Sequence, residues 1–425
     1  MPVACKTPPR PTRRRFLTTA AAGGLSVLIA KPLWARKGVP PLKIDRIEVF
    51  PVRYPTIGRF KFFEGPPGTP SGRPAVLVKI TADDGTIGWG ESVPVPKWSY
   101  ETLASAVTAI RQHMIPVLRG RDPYDITGAH RAMNKVIAPS FSTGMPIAKS
   151  GVDMALHDLV GKVTGQSIAQ RWGRPRGGPI TLSWTLNPKK LADLDALIQQ
   201  GWDRGYRNFN VKVAPDPAFD LEMCRLVKKR VPDGFLWADA NGGYDVRTAM
   251  DVAPKLADIG VDIFEQPVPS NRLLGYRRLK AQGALPIIMD EGVVSPKDLI
   301  EYIRLDCLDG VAMKPARCGG LLPARRQCEI LEDGGLMFLG SGLTDPDVSL
   351  AATLALYGAF ELKYPAALNG PQFLATSIAK NPFKPKDGKL DVPPGPGLGV
   401  DVDEKKLRDL VKSSMANPSD SILVE

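Results

Sequence analysis

Five ionisable residues of the 425-residue chain, Lys212, Asp239, Glu265, Asp290 and Lys314, follow one another at intervals of 27, 26, 25 and 24. Three carboxylates between two amines read as a divalent cation flanked by two bases. Carboxylate oxygens, with room left for water and a substrate, suit a hard cation such as Mg²⁺, one per site, with Mn²⁺ as a substitute. Without a cation the three would repel one another and raise each other's pKa. An amine on either side could take a proton from one face of a carbon and return one to the other.

Intervals of 24 to 27 residues hold one strand, one helix and two short loops. Each of the five can therefore end a successive strand of a (β/α) barrel, whose strand ends converge on one mouth. Short strands are expected at Ile180 to Leu186, Asn208 to Val213, Phe235 to Asp239, Ile263 to Glu265, Ile287 to Asp290, Gly310 to Lys314, Leu336 to Leu339 and near Leu368. Helical stretches separate the first seven: Leu191 to Arg204, Asp220 to Val231, Val246 to Ile259, Asn271 to Gln282, Pro296 to Leu305 and Leu322 to Asp333. Eight strands close a barrel, although a doubly wound open sheet has the same local pattern.

Upstream, Leu42 to Val52, Ala75 to Thr81 and Ile87 to Ser92 alternate as strands, with Asp83-Asp84-Gly85 as a hairpin turn. Helices follow over Ser99 to Leu118, Pro123 to Val136 and Pro146 to Val163. The expected divisions are an α+β capping domain over 36–165, a barrel over 179–370 and a C-terminal segment over 371–425 that packs back on the capping domain. Residues 56–73, rich in Gly, Pro and aromatics and including Phe60-Lys61-Phe62-Phe63, read as a lid or binding loop. Phe60, Phe62, Phe63 and Trp184 could line a partly apolar pocket, or equally serve as core or lid packing.

The net charge of +12 does not indicate a nucleic-acid partner. Half of the excess lies in the first 35 residues, as Lys6, Arg10, Arg13, Arg14, Arg15 and Lys31, and no basic run elsewhere is interleaved with aromatics. Thr12-Arg13-Arg14-Arg15-Phe16-Leu17, an apolar run from Ala20 to Ala30 and a stretch ending at Ala35 resemble a twin-arginine export signal over 1–35. This implies the twin-arginine machinery as a partner and a periplasmic or otherwise exported location. Cys224, Cys307, Cys318 and Cys328 form no close Cys-x-x-Cys pair and His113, His130 and His157 no local metal motif, which argues against zinc. Buried free thiols are the expectation.

The strings Asn210-Val211-Lys212, Asp239-Ala240-Asn241, Glu265-Gln266-Pro267, Asp290-Glu291, and Lys314 followed by Cys318-Gly319-Gly320 resemble the enolase superfamily. Asp153 to Leu159 and Gly395 to Gly399 match as well. A lysine on the sixth strand, with no histidine after His157, resembles the muconate lactonizing enzyme subgroup rather than the His-based ones. The resemblance implies a TIM-like, modified (β/α)7β barrel beneath a capping domain completed by the C-terminal segment. It also implies Asp239, Glu265 and Asp290 as Mg²⁺ ligands supported by Asn241 and Glu291, Lys212 and Lys314 as the acid/base pair, and a homo-oligomer. Asn210 stands where the subgroup usually has the first lysine of Lys-x-Lys, so Lys212 is expected to be more basic.

Near the seventh strand, Ser341 and Asp345 are candidate substrate contacts in a segment that lacks the relatives' frequent glutamate. The leading expectation is an isomerase, a racemase, epimerase or cycloisomerase, that takes the proton α to the carboxylate of a small molecule through an enediolate. A dehydratase of a sugar acid or hydroxy acid is the alternative. A degenerate exported binding protein, its turnover lost with the lysine at 210, is a third.

Overall fold

The computed structural model describes residues 39–64, 71–140 and 142–415. The expected export signal over 1–35 and residues 65–70 of the expected lid loop lie outside them. Strands β1 (Ile44–Tyr54), β2 (Arg73–Ala82) and β3 (Ile87–Ser92) form an antiparallel sheet in that order. The long helix Pro146–Thr164 packs across it, buried along most of its length. The approach depends on glycine: a Cβ on Gly90 would run into the Gly151 carbonyl. The earlier helix begins at Leu103 rather than near Ser99, because Thr102 forms the capping box with Ser105.

His157 is enclosed in the long helix, with Asp153 Oδ2 at 3.8 Å from its Nε2, Arg171 Nη1 at 3.4 Å from its Nδ1 and the Trp172 ring edge-on. Burial, reinforced by the charge of Arg171, outweighs Asp153 and pulls its pKa from 6.5 to about 4. The folded protein keeps the ring neutral where the unfolded chain protonates it. Stability from this group is complete above pH 6.5 and is lost as the pH falls toward 4, by about 3 kcal/mol in total. His157→Asn should flatten the pH dependence of the urea midpoint across that window; an unchanged slope would contradict the assignment.

Seven parallel strands follow: β4 (Ser183–Leu186), β5 (Asn208–Lys212), β6 (Leu236–Asp239), β7 (Ile263–Glu265), β8 (Ile287–Met289), β9 (Gly310–Met313) and β10 (Met337–Gly340), paired in chain order. The edges are joined through Ala366 and Ala367. Ser183 N–H donates to Ala366 O and Ala367 N–H donates to Gly340 O, both at 2.8 Å. The eighth strand, expected near Leu368, is thus reduced to two bridging residues, and the sheet closes as a barrel. Trp237, Ile263, Ile288, Ala312, Leu339 and Ala367 make a cluster separate from the larger core. They alternate with helix-facing residues along their strands, as the barrel interior requires.

Helix Asp347–Ala359 was not expected; it is buried at every residue and so shows no polar face in the sequence. The capping domain binds its N-terminus: Val348 and Ser349 N–H donate to Glu91 Oε2 at 3.1 and 3.0 Å, and Tyr54 O–H donates to Oε1 at 2.8 Å. Burial pushes Glu91 up to about 8. The C-terminal helix Glu404–Met415 returns to the capping sheet, where Lys79 pairs with Glu404 at 2.7 Å and Arg53 N–H donates to Ser414 Oγ at 2.7 Å. Cys224, Cys307, Cys318 and Cys328 are buried free thiols. Among the described residues no helix is long and apolar enough to cross a membrane.

Candidate active site

Lys212, Asp239 and Glu265 are neighbours in register at the C-terminal ends of β5, β6 and β7. Asp290 and Lys314 directly follow β8 and β9. Lys212 is ion-paired with Asp239. Lys314 Nζ lies 2.5 Å from Asp290 Oδ2, and the other Asp290 oxygen pairs with Arg317. Glu265 Oε2 accepts the indole N–H of Trp237 at 2.6 Å. Asn241 Nδ2 donates to Asp239 Oδ2 at 3.2 Å and to Glu291 Oε1 at 3.3 Å, linking the turns after β6 and β8. Asn241 and Gln266 hold left-handed φ values of +45° and +38° just past the strand ends, a strained geometry common where turns shape a site.

The electrostatics follow from enclosure. Burial opposes the charged form of Lys212, but Asp239, Glu265 and Asp290 outweigh it and keep its pKa above the ordinary lysine value. Asp239 is held below the usual carboxylate value because Lys212, Lys61 and Lys314 overcome its burial. Glu265 is pushed well up by burial and by its neighbours Asp239 and Asp290. Burial, Asp290 and Asp239 raise Glu291 to about 8. Asn210, two residues before Lys212 on the same face of β5, is buried with neither end of its amide hydrogen-bonded among the described residues.

As the side chains stand, no three His, Cys, Asp or Glu groups among the described residues are gathered as a metal-binding set. Asp239 and Asp290 are turned onto lysines. The fit to a hard divalent cation lies in donor type and backbone position: three carboxylates at successive strand ends, with Glu265 Oε1 buried and without a hydrogen-bond partner among the described residues. Turning Asp239 and Asp290 from their lysines would complete an oxygen donor set.

A small pocket is lined by Lys212, Lys314, Asn241 and Ser341 from the barrel and by Phe60, Phe62 and Trp98 from the capping domain. Trp184 and Asp345, expected beside the substrate, are placed elsewhere. Trp184 is on the helix-facing side of β4, against Gly201 and Tyr206, and borders a separate cleft. Asp345 is buried, accepting from Ser349 O–H at 2.8 Å and Leu343 N–H at 3.3 Å, and so shapes its own loop. Three contributors escaped the sequence reading. Lys314 Nζ is 4.6 Å from the centre of the Trp98 ring, Arg317 shares Asp290, and Trp237 supports Glu265. Only Arg317 had a usable signal, lying three residues beyond Lys314 and so one helical turn away.

Comparison with known proteins agrees with this architecture. Residues 193–406 match the enolase C-terminal domain-like family, and residues 65–173 match the N-terminal domain of the mandelate racemase / muconate lactonizing enzyme family. A chloromuconate cycloisomerase of Cupriavidus necator is 32% identical over 345 residues, covering 80% of this chain and 92% of that one. An N-succinyl-L-Arg/Lys racemase of Bacillus cereus is 25% identical over 374 residues, covering 87% and 98% of the two chains. The crystal structure of muconate lactonizing enzyme from Pseudomonas fluorescens complexed with muconolactone superposes with a TM-score of 0.80 at 29% identity, covering 87% of this chain and all of that one. The row of acids and lysines at the barrel mouth is therefore that of an enzyme, and the chain belongs to the mandelate racemase / muconate lactonizing enzyme family of the enolase superfamily.

Proposed function

We propose that the chain is a Mg²⁺-dependent isomerase that moves the proton on the carbon α to a carboxylate, with cycloisomerisation of a muconate-type acid favoured over racemisation. The observation that carries the reading is the placement of Lys212 and Lys314 on opposite flanks of the Asp239–Glu265–Asp290 row, both lining one pocket. The activities of the relatives, cycloisomerase and racemase, favour isomerisation over dehydration. Asp239, Glu265 and Asp290 would hold the cation, with Mn²⁺ as a substitute. Bound there, it supplies positive charge to a carboxylate that gains electron density as its α-carbon is deprotonated.

The lysines handle the proton. Lys314, between Asp290 and the Trp98 ring, would exchange it with one face of the α-carbon, and Lys212 with the other. For a cycloisomerisation a single lysine delivers the proton to the α-carbon while the second carboxylate of the same substrate closes the ring. Phe60, Phe62 and Trp98 narrow the pocket and limit water at the reacting carbon. In D₂O with Mg²⁺, cis,cis-muconate should give a lactone deuterated at its α-carbon, and N-succinyl-L-lysine should exchange its α-proton only if racemisation also operates. Keto or dehydrated products from a sugar-acid panel, with neither of these signals, would overturn the isomerase reading.

Export through the twin-arginine route to the periplasm, and assembly as a homo-oligomer, complete the proposal. The first rests on the sequence of residues 1–35. The second is supported by the exposed Leu273, Leu274, Ile300, Ile303 and Leu305 on neighbouring outer helices and loops. Periplasmic fractionation and light scattering of the mature protein check them; a cytoplasmic monomer would contradict both.

A further inference from the structure

The ends of β9 and β10 form the pocket wall that carries Lys314, and one hydroxyl from outside both strands ties them together. The two strands are paired as far as Met313 and Gly340, and a last rung runs from Ser341 N–H to Met313 O at 2.9 Å. Beyond it they part: Lys314 turns into the short helix Pro315–Cys318, and Ser341 into the loop that lines the pocket. The Tyr357 hydroxyl sits at this fork. It accepts Ser341 N–H at 2.9 Å and shares its own proton between Ser341 O and Met313 O.

Tyr357 belongs to the helix Asp347–Ala359 and is fully buried. Its ring lies against Gly340, where a Cβ would come within 2.7 Å of it, and edge-on to Phe338 with ring centres 5.6 Å apart. Burial pushes its pKa well above the ordinary tyrosine value, so the hydroxyl keeps the proton it donates. The helix is itself anchored at its N-terminus by Glu91 of the capping domain. A packed ring that presents one polar atom to three backbone groups holds them more narrowly than a final ladder rung, because strand ends fray.

The Met313 carbonyl and the Lys314 N–H belong to one planar peptide unit. Holding that carbonyl sets the rotation of the plane, and with it the direction in which the Lys314 side chain leaves the backbone toward Asp290 and the Trp98 ring. We infer that Tyr357 is a positioning residue for proton transfer, which keeps the Lys314 amine aligned with the reacting carbon by fixing the end of β9 against Ser341. The inference rests on the reading of Lys314 as a base. Tyr357 is enclosed behind the strand ends and does not line the pocket, so it acts through Lys314.

Tyr357→Phe keeps the ring and its packing and removes only the oxygen. In D₂O with Mg²⁺ and cis,cis-muconate, kcat for deuteration of the α-carbon should fall roughly 10- to 100-fold, with KM within about twofold of wild type. Added to Lys314→Ala, the same change should cost nothing further, because its effect is carried by an amine already removed. A second measurement needs no turnover. In Mg²⁺-loaded protein labelled with [ε-¹³C]lysine, the Lys314 resonance, assigned by its loss in Lys314→Ala, should move in Tyr357→Phe as the amine leaves its set place. An unmoved resonance, an undiminished kcat, or losses that add in the double variant would each overturn the inference. A wild type that leaves muconate unchanged would count against the isomerase reading, whereas a moved resonance in that case would still show that Tyr357 sets the place of Lys314.

Discussion

Lys314→Ala should lower the rate of α-proton transfer by roughly 10²- to 10⁴-fold while leaving the protein folded and able to bind its ligand. The rate loss follows from removing a base that lines the pocket, 2.5 Å from Asp290 and packed over Trp98. Folding should survive because Asp290 keeps its second partner, Arg317, which also donates to Ala312 O at 2.8 Å. No buried carboxylate is left without a cation. Lys212→Ala differs: it leaves Asp239 with hydrogen bonds from Asn241 but without its ion pair, so a larger loss of stability should accompany its loss of activity. The check is deuterium incorporation at the α-carbon, measured by NMR beside thermal melts of both variants. Full exchange in Lys314→Ala would sink the two-base account.

Glu265→Gln should abolish both activity and the stabilising effect of Mg²⁺, yet raise the melting temperature measured in EDTA. Glu265 is buried, crowded by Asp239 and Asp290, and has one oxygen without a partner among the described residues. Gln retains an acceptor for the Trp237 N–H and removes the cost of holding a carboxyl group, whether ionised or forced to take up a proton, beside Asp239 and Asp290, a change worth roughly a few degrees in melting temperature. In wild type, Mg²⁺ at a hundredfold excess over its Kd should add about 2.7 kcal/mol, and the variant should gain little. Loss of the carboxylate ligand should reduce turnover by roughly 10³-fold. A variant that remains stabilised by Mg²⁺ to the wild-type extent would remove Glu265 from the ligand set.

Much of the barrel was legible because each site residue interrupts an apolar run at a regular interval. Leu236-Trp237-Ala238-Asp239 and Ile263-Phe264-Glu265 read as strands because they are buried on both faces, and their last residue is charged because it emerges at the mouth. The helix Asp347–Ala359 was not legible for the opposite reason: total burial erased the polar face that marks a helix. The eighth strand was legible in place but not in extent, because the two bridging residues Ala366 and Ala367 are too few to carry a period. Trp184 was left open between the pocket and the core, because residue type alone cannot tell the two faces of a strand apart; it packs on the helix side.

The sequence by itself determined the order and identity of the acids and lysines at the strand ends, and with them the family, because strand-to-strand spacing in a parallel barrel is a local property of one strand, one helix and two turns. Only the tertiary structure decided which charge meets which. Residues far apart in the chain are brought together by closure of the barrel and by the capping domain, so the Lys212–Asp239 pair, the shared Asp290 and the contact of Trp98 with Lys314 depend on long-range packing. Asn210 shows the division. Its identity was plain in the sequence, but that its amide is buried without a hydrogen-bond partner among the described residues is visible only in the folded chain.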